Sequence, residues 1–540
     1  MRSKSDLLVP SSGSDFQNYT TGFFASGFSF FLLYLALPPN DFPEAAYFFL
    51  FPSLVWFNLK PKTKIVVVSV LSSGFVFNIS LLFWMRHVTV PGLILTSFLV
   101  SLYHLAWFVA ASKLVKTGAS GKLHQRLAVI IVLSSFWVVI EWGRSLFPFG
   151  FPWCPLSVSQ WERPAILQLV PLFGAWIVSF FLIFFNLSIA SYLHNLLVRR
   201  RREVRQTYFS NLCPEFYLCL AFFLIMLTPI LFSNQYSESA TGKSESTKFR
   251  VGVCQPYLIN KWISSNAEKN KQILINQTRL LALQKPDLIV WPEASTPYAV
   301  NEDRQWVEHL SADIEIPLLI GAITRDSKSS YNSVVKVSPT SGMQEGFYSK
   351  QILVPFGEYI PFPFNLLSGF RKLVGPVGDF SPGAEHKNYS FSNSQDQSFN
   401  IFSFICYEDI FPNLMTSLPK EKNSSIFVTT NDAWFGEEGC AEQHAAHSVF
   451  RALETGMPVL RCGNAGWSGW ISHRGVIKDV LRDQLNSIYF RGAGVFEISL
   501  PTERLQSVDL RYYFLSFCAI FCVFYFALLR KLMYEKRSNN

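Results

Sequence analysis

The 540-residue chain is short of charge. Lys, Arg, Asp and Glu make up 16% of it, against roughly 25% in ordinary soluble proteins, which argues against a molecule bathed in water throughout. Gly and Pro number only 29 each, which excludes a collagen-like or disordered chain. Nine cysteines are too sparse for the disulfide frameworks of small secreted domains. No internal repeat or low-complexity tract is evident. What is abundant is apolar: hydrophobic residues make up 49%, and 52 residues are Phe. Mean hydropathy is nevertheless only +0.22, too low for a chain embedded in lipid from end to end. The figures therefore average two unlike parts, and the length, beyond that of one ordinary domain, agrees.

Crossing a hydrocarbon core takes about 20 apolar residues. Such stretches recur near 21–37, 44–58, 65–85, 89–111, 127–143, 166–194 and 215–233, and an eighth lies at 512–530. The second is the shortest and contains Pro52, so it reads also as a tilted or re-entrant element. Basic residues follow the even-numbered stretches: Lys60, Lys62 and Lys64; Lys113, Lys116, Lys122 and Arg126; Arg199 to Arg202 and Arg205; Arg530, Lys531, Lys536 and Arg537. The odd-numbered exits are poor in them. The positive-inside rule then predicts that both termini are cytoplasmic and that the segment between stretches seven and eight lies outside. Topology thus accounts for most of the +9 net charge, and no nucleic-acid surface is expected.

Between 235 and 510 the pattern changes. The polar segment 234–248 reads as a linker. Short β-branched runs follow, such as Phe249–Val253, Leu288–Trp291, Leu318–Ile323 and Ile426–Thr430, alternating with helix-like stretches such as 264–284. Strands alternating with helices predict an α/β domain of about 260 residues. The expected organisation is a polytopic α-helical membrane domain over 1–233, the linker 234–248, a catalytic α/β domain over 249–505 and a C-terminal membrane helix over 511–530.

Three segments of the α/β domain carry reactive side chains after strand-like runs: Trp291-Pro292-Glu293, Tyr348-Ser349-Lys350, and Phe404-Ile405-Cys406-Tyr407-Glu408-Asp409. Strand ends are where α/β sheets place their sites. A thiol near its reference pKa is scarcely ionised at neutral pH. Glu293 is the candidate base for Cys406, and Lys350 the candidate to favour the thiolate and hold an oxyanion. Together they point to acyl transfer through a thioester.

This order of residues resembles the nitrilase superfamily of carbon–nitrogen hydrolases. The resemblance implies an αββα sandwich with a Glu-Lys-Cys triad, and a second glutamate that Glu358 matches. The membrane part narrows it further. Glu141-Trp142-Gly143-Arg144, Gly150-Phe151-Pro152-Trp153, Leu353–Pro361, Asn431–Gly436 and Arg451–Gly456 resemble the apolipoprotein N-acyltransferase family. That likeness implies an N-acyltransferase of the bacterial inner membrane with its catalytic domain on the periplasmic side. It would load an acyl group from a phospholipid onto Cys406 and pass it to the N-terminal amine of a diacylglyceryl lipoprotein. Tyr407 and Glu408 match family positions needed for activity, and Trp262 resembles a tryptophan near the site entrance. No cofactor or metal is expected. The expected partners are the phospholipid donor, the lipoprotein acceptor and the bilayer, with the chain acting as a monomer.

Segment 356–382, rich in Phe, Leu, Pro and Gly, reads as a lid or membrane-dipping loop. Glu141 and Arg144, one turn apart, are expected to pair near the lipid head groups. Cys440, His444 and His447 fall on one helical face like a metal set but have no evident fourth ligand. A Cys440–Cys462 disulfide is conceivable from compartment alone. Two other readings remain open: a membrane-tethered nitrilase-like amidase discharging to water, and a non-catalytic membrane scaffold.

Overall fold

The computed structural model describes residues 15–118, 123–146, 150–201, 213–232, 247–258, 261, 263–362, 364–366, 379–419, 421–501 and 508–538. The first part is helical: α1 (Asp15–Ala36), α2 (Phe51–Phe57), α3 (Thr63–Leu81), α4 (Val90–Gly118), α5 (Leu123–Arg144), α6 (Trp176–Arg201) and α7 (Pro214–Phe232). A last long helix, Arg511–Ser538, follows the α/β part. Among the described residues six helices are long and apolar enough to cross a membrane: Gln17–Ala36, Thr63–Leu81, Val90–Val115, Leu123–Arg144, Trp176–Leu193 and Arg511–Leu532.

The second expected crossing is not one helix. It is a 3-10 turn at Pro43–Tyr47 followed by the seven-residue α2. The segment still runs back along α1. The Ser53 amide donates to the Ser29 hydroxyl at 3.2 Å, and the ring of Trp56 packs where a Cβ on Gly22 would stand. The break leaves backbone groups to satisfy, and Asn186 of α6 takes them. Its Oδ1 accepts from Leu50 N at 3.0 Å and its Nδ2 donates to Ala46 O at 2.9 Å. Irregular backbone at membrane depth persists only where the protein re-pairs it in this way. The sixth expected stretch also starts later. Pro164–Leu167 and Val170–Phe173 are separate turns, each with Pro in its first turn, and Gly174 (φ +71°) ends the second before α6 begins.

The α/β part stacks two sheets. One has the order β13-β1-β2-β3-β4-β5, with β6 also paired to β4. Its strands are β1 (Lys248–Gln255), β2 (Leu288–Trp291), β3 (Leu318–Arg325), β4 (Ser330–Ser338), β5 (Gly342–Met343), β6 (Tyr348–Ser349) and β13 (Gly492–Ser499). The other has the order β12-β11-β10-β9-β8-β7. Its strands are β7 (Asn388–Ser392), β8 (Ser398–Ile405), β9 (Ser424–Thr430), β10 (Val459–Gly463), β11 (Gly469–Ile471) and β12 (Ile477–Val480). Each sheet has a parallel centre, β1-β2-β3 and β8-β9-β10.

Side chains along the central strands alternate between two cores. Leu288 and Val290 of β2 face the second sheet with Phe404, Ile426 and Val428. Ile289 and Trp291 face a separate layer with Leu274 and Leu281 of α8 (Ala267–Ala282) and Val307 and Leu310 of α9 (Gln305–Ile314). Coverage on both faces is why β2 reads as an unbroken apolar run. The linker expected at 234–248 falls mostly outside the described residues, and β1 begins at Lys248.

The sandwich sits on one end of the helical bundle, and the inter-sheet core is continuous with the helix core. Gln443 of α10 (Cys440–Thr455) is an anchor: its Oε1 accepts from the indoles of Trp84 (3.0 Å) and Trp153 (2.8 Å), and its Nε2 donates to Leu81 O at 3.1 Å. Glu454 accepts from Ala175 N and pairs with Arg451 at 2.8 Å. Glu438 pairs with Arg86 and His87 beyond the end of α3. These contacts all lie at the helix ends opposite Lys60, Lys62 and Lys64.

Candidate active site

Glu293 follows β2, Lys350 follows β6 and Cys406 follows β8. All three are buried, as is Glu358. Lys350 Nζ lies 2.9 Å from Glu358 Oε2 and 3.5 Å from Glu293 Oε1. Burial works against a charge on Lys350, but Glu358, Glu293 and Cys406 outweigh it, and the ammonium is held above the ordinary lysine value. Burial pushes the Cys406 thiol well above its ordinary value. Glu293 adds to this and Lys350 opposes it. The resting thiol is therefore protonated and needs a base.

The backbone aims these groups. Cys406 has φ +51° and Ala294, next to Glu293, has φ +44°. Left-handed geometry costs a non-glycine residue about 1–2 kcal/mol, and the surroundings hold it. The Cys406 carbonyl accepts from His444 Nε2 at 3.1 Å. Glu408, fully buried, receives four donors: Tyr348 OH (2.8 Å), Gln351 N (2.6 Å), Ile352 N (3.2 Å) and Ile405 N (2.7 Å). It ties both flanks of Lys350 to the residue before Cys406. Burial raises its carboxyl to about 7 even so. Tyr407 donates from its hydroxyl to Gly150 O at 2.7 Å and stacks edge-on to Phe411. Trp262 lies outside the described residues. So do residue 363 and residues 367–378 of the expected lid; within its described part Phe362 is 75% exposed.

Two site residues had no signal in the sequence. Asn332 of β4 donates from Nδ2 to Glu293 Oε1 at 2.7 Å and to Glu358 Oε1 at 3.2 Å, spanning the two carboxylates. Lys261, also buried, donates from Nζ to the backbone carbonyl of Glu293 at 2.8 Å.

Other expectations need correction. Glu141 and Arg144 form no direct ion pair. Glu141 Oε1 accepts from Trp137 Nε1 (2.7 Å) and Leu156 N (2.8 Å), and Arg144 donates to Trp153 O at 2.9 Å. Both are taken up by the strap over 150–156 instead. All nine cysteines are free, Cys440 and Cys462 among them. His444 is spent on acids, with Nδ1 3.0 Å from Asp432 and Nε2 2.9 Å from Asp409. His447 accepts from Cys154 N at 3.3 Å.

Cys406, Tyr407 and His444 line an apolar cavity of 160 Å³. Its other walls are Trp84, Met85 and Val88, then Thr96, Leu99 and Val100 of α4, the strap residues Phe151 and Trp153, and Val354 to Phe356. The Cys406 thiol thus faces an apolar space walled largely by the N-terminal helical part.

Residues 29–188 match the apolipoprotein N-acyltransferase N-terminal domain, and residues 250–491 match carbon-nitrogen hydrolase. The chain belongs to the apolipoprotein N-acyltransferase family. Among its relatives, apolipoprotein N-acyltransferase 2 of Treponema denticola is 28% identical over 66% of this chain and 69% of its own length. Apolipoprotein N-acyltransferase of Rhizobium rhizogenes is 25% identical over 88% and 89%. A CN-hydrolase superfamily protein of Xanthomonas campestris aligns in structure over 47% of this chain and 91% of its own, at 15% identity and a TM-score of 0.36. The two family matches and the relatives show a carbon-nitrogen hydrolase domain in an acyltransferase enzyme family, and the six apolar helices among the described residues form its membrane part.

Proposed function

We propose that this chain moves a fatty acyl group from a membrane phospholipid to the N-terminal amine of an S-diacylglyceryl-cysteine lipoprotein, through a thioester on Cys406. Glu293 accepts the thiol proton as sulfur attacks the ester carbonyl, and Lys350 holds the oxyanion. Collapse breaks the ester C–O bond, and the lysophospholipid alkoxide leaves with the proton from Glu293. In the second half the lipoprotein amine attacks the thioester, Glu293 takes a proton from nitrogen, and the C–S bond breaks to regenerate the thiol. Glu358 keeps Lys350 charged and in place, while Glu408 and Tyr407 hold the turn of the nucleophile.

The observation that carries this reading is the shared wall: the Cys406 thiol, beside the Glu293–Lys350–Glu358 cluster, lines an apolar cavity walled by α4 and the strap. An acyl chain that stays in apolar surroundings avoids about 0.8 kcal/mol per CH₂ exposed to water, a saving that a water-facing amidase has no use for. The sandwich contacts helix ends opposite the basic loops, which under the positive-inside rule favours the periplasmic face of the inner membrane with both termini cytoplasmic. The chain acts as a monomer.

The test is incubation with a phospholipid carrying a labelled acyl chain, followed by mass spectrometry of the Cys406 peptide. A thioester that discharges to a diacylglyceryl lipopeptide amine supports the reading. Discharge to water alone supports the amidase, and no adduct at Cys406 overturns both. Cys406→Ser should abolish the adduct.

A further inference from the structure

A second buried lysine stands in this site with no role in the triad. Lys261 is 5% exposed, and its Nζ donates to the carbonyl oxygen of Glu293 at 2.8 Å. It also interacts electrostatically with Glu293 and Cys406. Burying an ammonium is costly unless the site uses it, and the charges around the thiol indicate the use. Cys406 feels Glu293, Glu358 and Asp432 as acids, and Lys350 as a cation. Asp432 is already paired with His444. Lys350 then faces two carboxylates alone, which leaves one negative charge in excess beside a thiol that must become a thiolate. Lys261 cancels that charge. It also grips the backbone at the turn that Ala294 completes in left-handed geometry, fixing the carboxylate from the main-chain side while Asn332 fixes it from the side-chain side.

We infer that Lys261 is a positioning residue for acyl transfer: it holds the Glu293 backbone and balances the site's excess negative charge, so that Glu293 takes the Cys406 proton near neutral pH. This rests on the acyl-transfer reading above. Burial pulls the Lys261 ammonium down to about 8, with Glu293 and Cys406 opposing that fall, so the charge is present at neutral pH and is lost in alkali. Removing a cation disfavours every nearby anion. The Cys406 thiol, already held high by burial and Glu293, then ionises at higher pH, and the acidic limb of the rate profile moves up.

The experiment uses the full chain in nanodiscs of phosphatidylethanolamine with a palmitoyl chain. It measures single-turnover formation of the Cys406 thioester from pH 5 to 9, on the order of the range where such groups titrate. Lys261→Met should slow acylation at least ~30-fold at pH 7, leave the dependence on phospholipid concentration within about twofold, and move the acidic limb up by about one pH unit. Lys261→Gln keeps an N–H donor for the Glu293 carbonyl without the charge, so it should recover part of the rate and keep the shift. Lys261→Arg keeps the charge and should keep the wild-type limb. If Lys261→Met does not fold, the Gln and Arg variants carry the test. An unmoved limb in Lys261→Gln, with the wild type forming thioester, overturns the role of Lys261 alone. A wild type that forms no thioester overturns the acyl-transfer reading itself.

Discussion

The carboxylate of Glu408 accepts the backbone N–H of Gln351 at 2.6 Å, so the residue after Lys350 is fastened to the turn that presents Cys406. The same carboxylate takes the amides of Ile352 and Ile405 and the Tyr348 hydroxyl. Lysine and thiol come from different sheets, and this one buried group sets their spacing. Glu408→Gln replaces one acceptor oxygen with an NH₂ facing N–H donors. Each buried donor left unpaired costs about 1–3 kcal/mol. The variant should melt several degrees lower and load Cys406 at least ~10-fold more slowly. Thermal unfolding and thioester formation measured on one preparation check both.

Asn332 gives a separable prediction because its side-chain amide donates to the two carboxylates. Asn332→Ala removes the donor shared by Glu293 and Glu358 and frees Glu293 to turn away. A drop in kcat of about 10- to 100-fold is expected with KM for phospholipid little changed, as for a lost general-base geometry. Asn332→Asp adds a third carboxylate beside one lysine and should be worse still. Equal rates for wild type and Asn332→Ala would remove Asn332 from the site.

A pH dependence of stability follows from His444. Burial opposes its charge, but Asp409 and Asp432 outweigh burial and raise it from 6.5 to about 9. A raised histidine stabilises fully below its unfolded value and loses that contribution as pH climbs through the folded one. The shift corresponds to about 3 kcal/mol, lost between pH 6.5 and 9. The melting temperature of the wild type should fall across that window. His444→Asn should start lower and fall less, which a pH series of melting curves reads directly.

The lining of the apolar cavity predicts chain-length selection. Leu99 of α4 is part of its wall. Leu99→Trp fills space that an acyl chain would occupy. Loading from long-chain phospholipids should drop about 10-fold or more, while short-chain donors are spared; loss of a few methylenes of contact is worth that much. Acyl-enzyme yields across a series of donor chain lengths decide it, and a uniform loss at all lengths would point to misfolding of α4 instead.

What could be read in the sequence divides along a physical line. Glu293, Lys350 and Cys406 stand directly after strand-like runs, and strand ends of an α/β sheet converge, so local pattern was enough to bring them together. Lys261 and Asn332 act through contacts made across the fold, with no local pattern to mark them. The same holds for His444 and His447, whose helical spacing imitates a metal set while their partners, Asp409, Asp432 and Cys154 N, lie elsewhere in the chain. Glu141 and Arg144 sit one turn apart, yet the strap over 150–156 competes for both. Hydropathy located seven of the eight apolar stretches as long helices, six of which are long and apolar enough to span among the described residues. Pro52 and its short length already marked the second as a re-entrant candidate, but not the group that stabilises its break, which is 136 residues away.

That break yields the last prediction. Leu50 N–H and Ala46 C=O both depend on the Asn186 side chain, which is buried in α6. At membrane depth no water replaces a lost partner, and an unsatisfied backbone group there costs several kcal/mol. Asn186→Leu keeps the size and apolar character of a membrane helix, so insertion should proceed. Folding should not: α2 must then pair its own broken end, and the neighbouring Ser29–Ser53 contact that aligns it with α1 is strained with it. Monodisperse yield in detergent should fall sharply and the melting temperature should drop by about 5 °C or more, since a cost of 2 kcal/mol moves a domain by that order. Asn186→Gln, with the same donor and acceptor on a longer arm, should recover part of the loss. A fully stable Asn186→Leu protein would mean that the break is satisfied by backbone bonds alone.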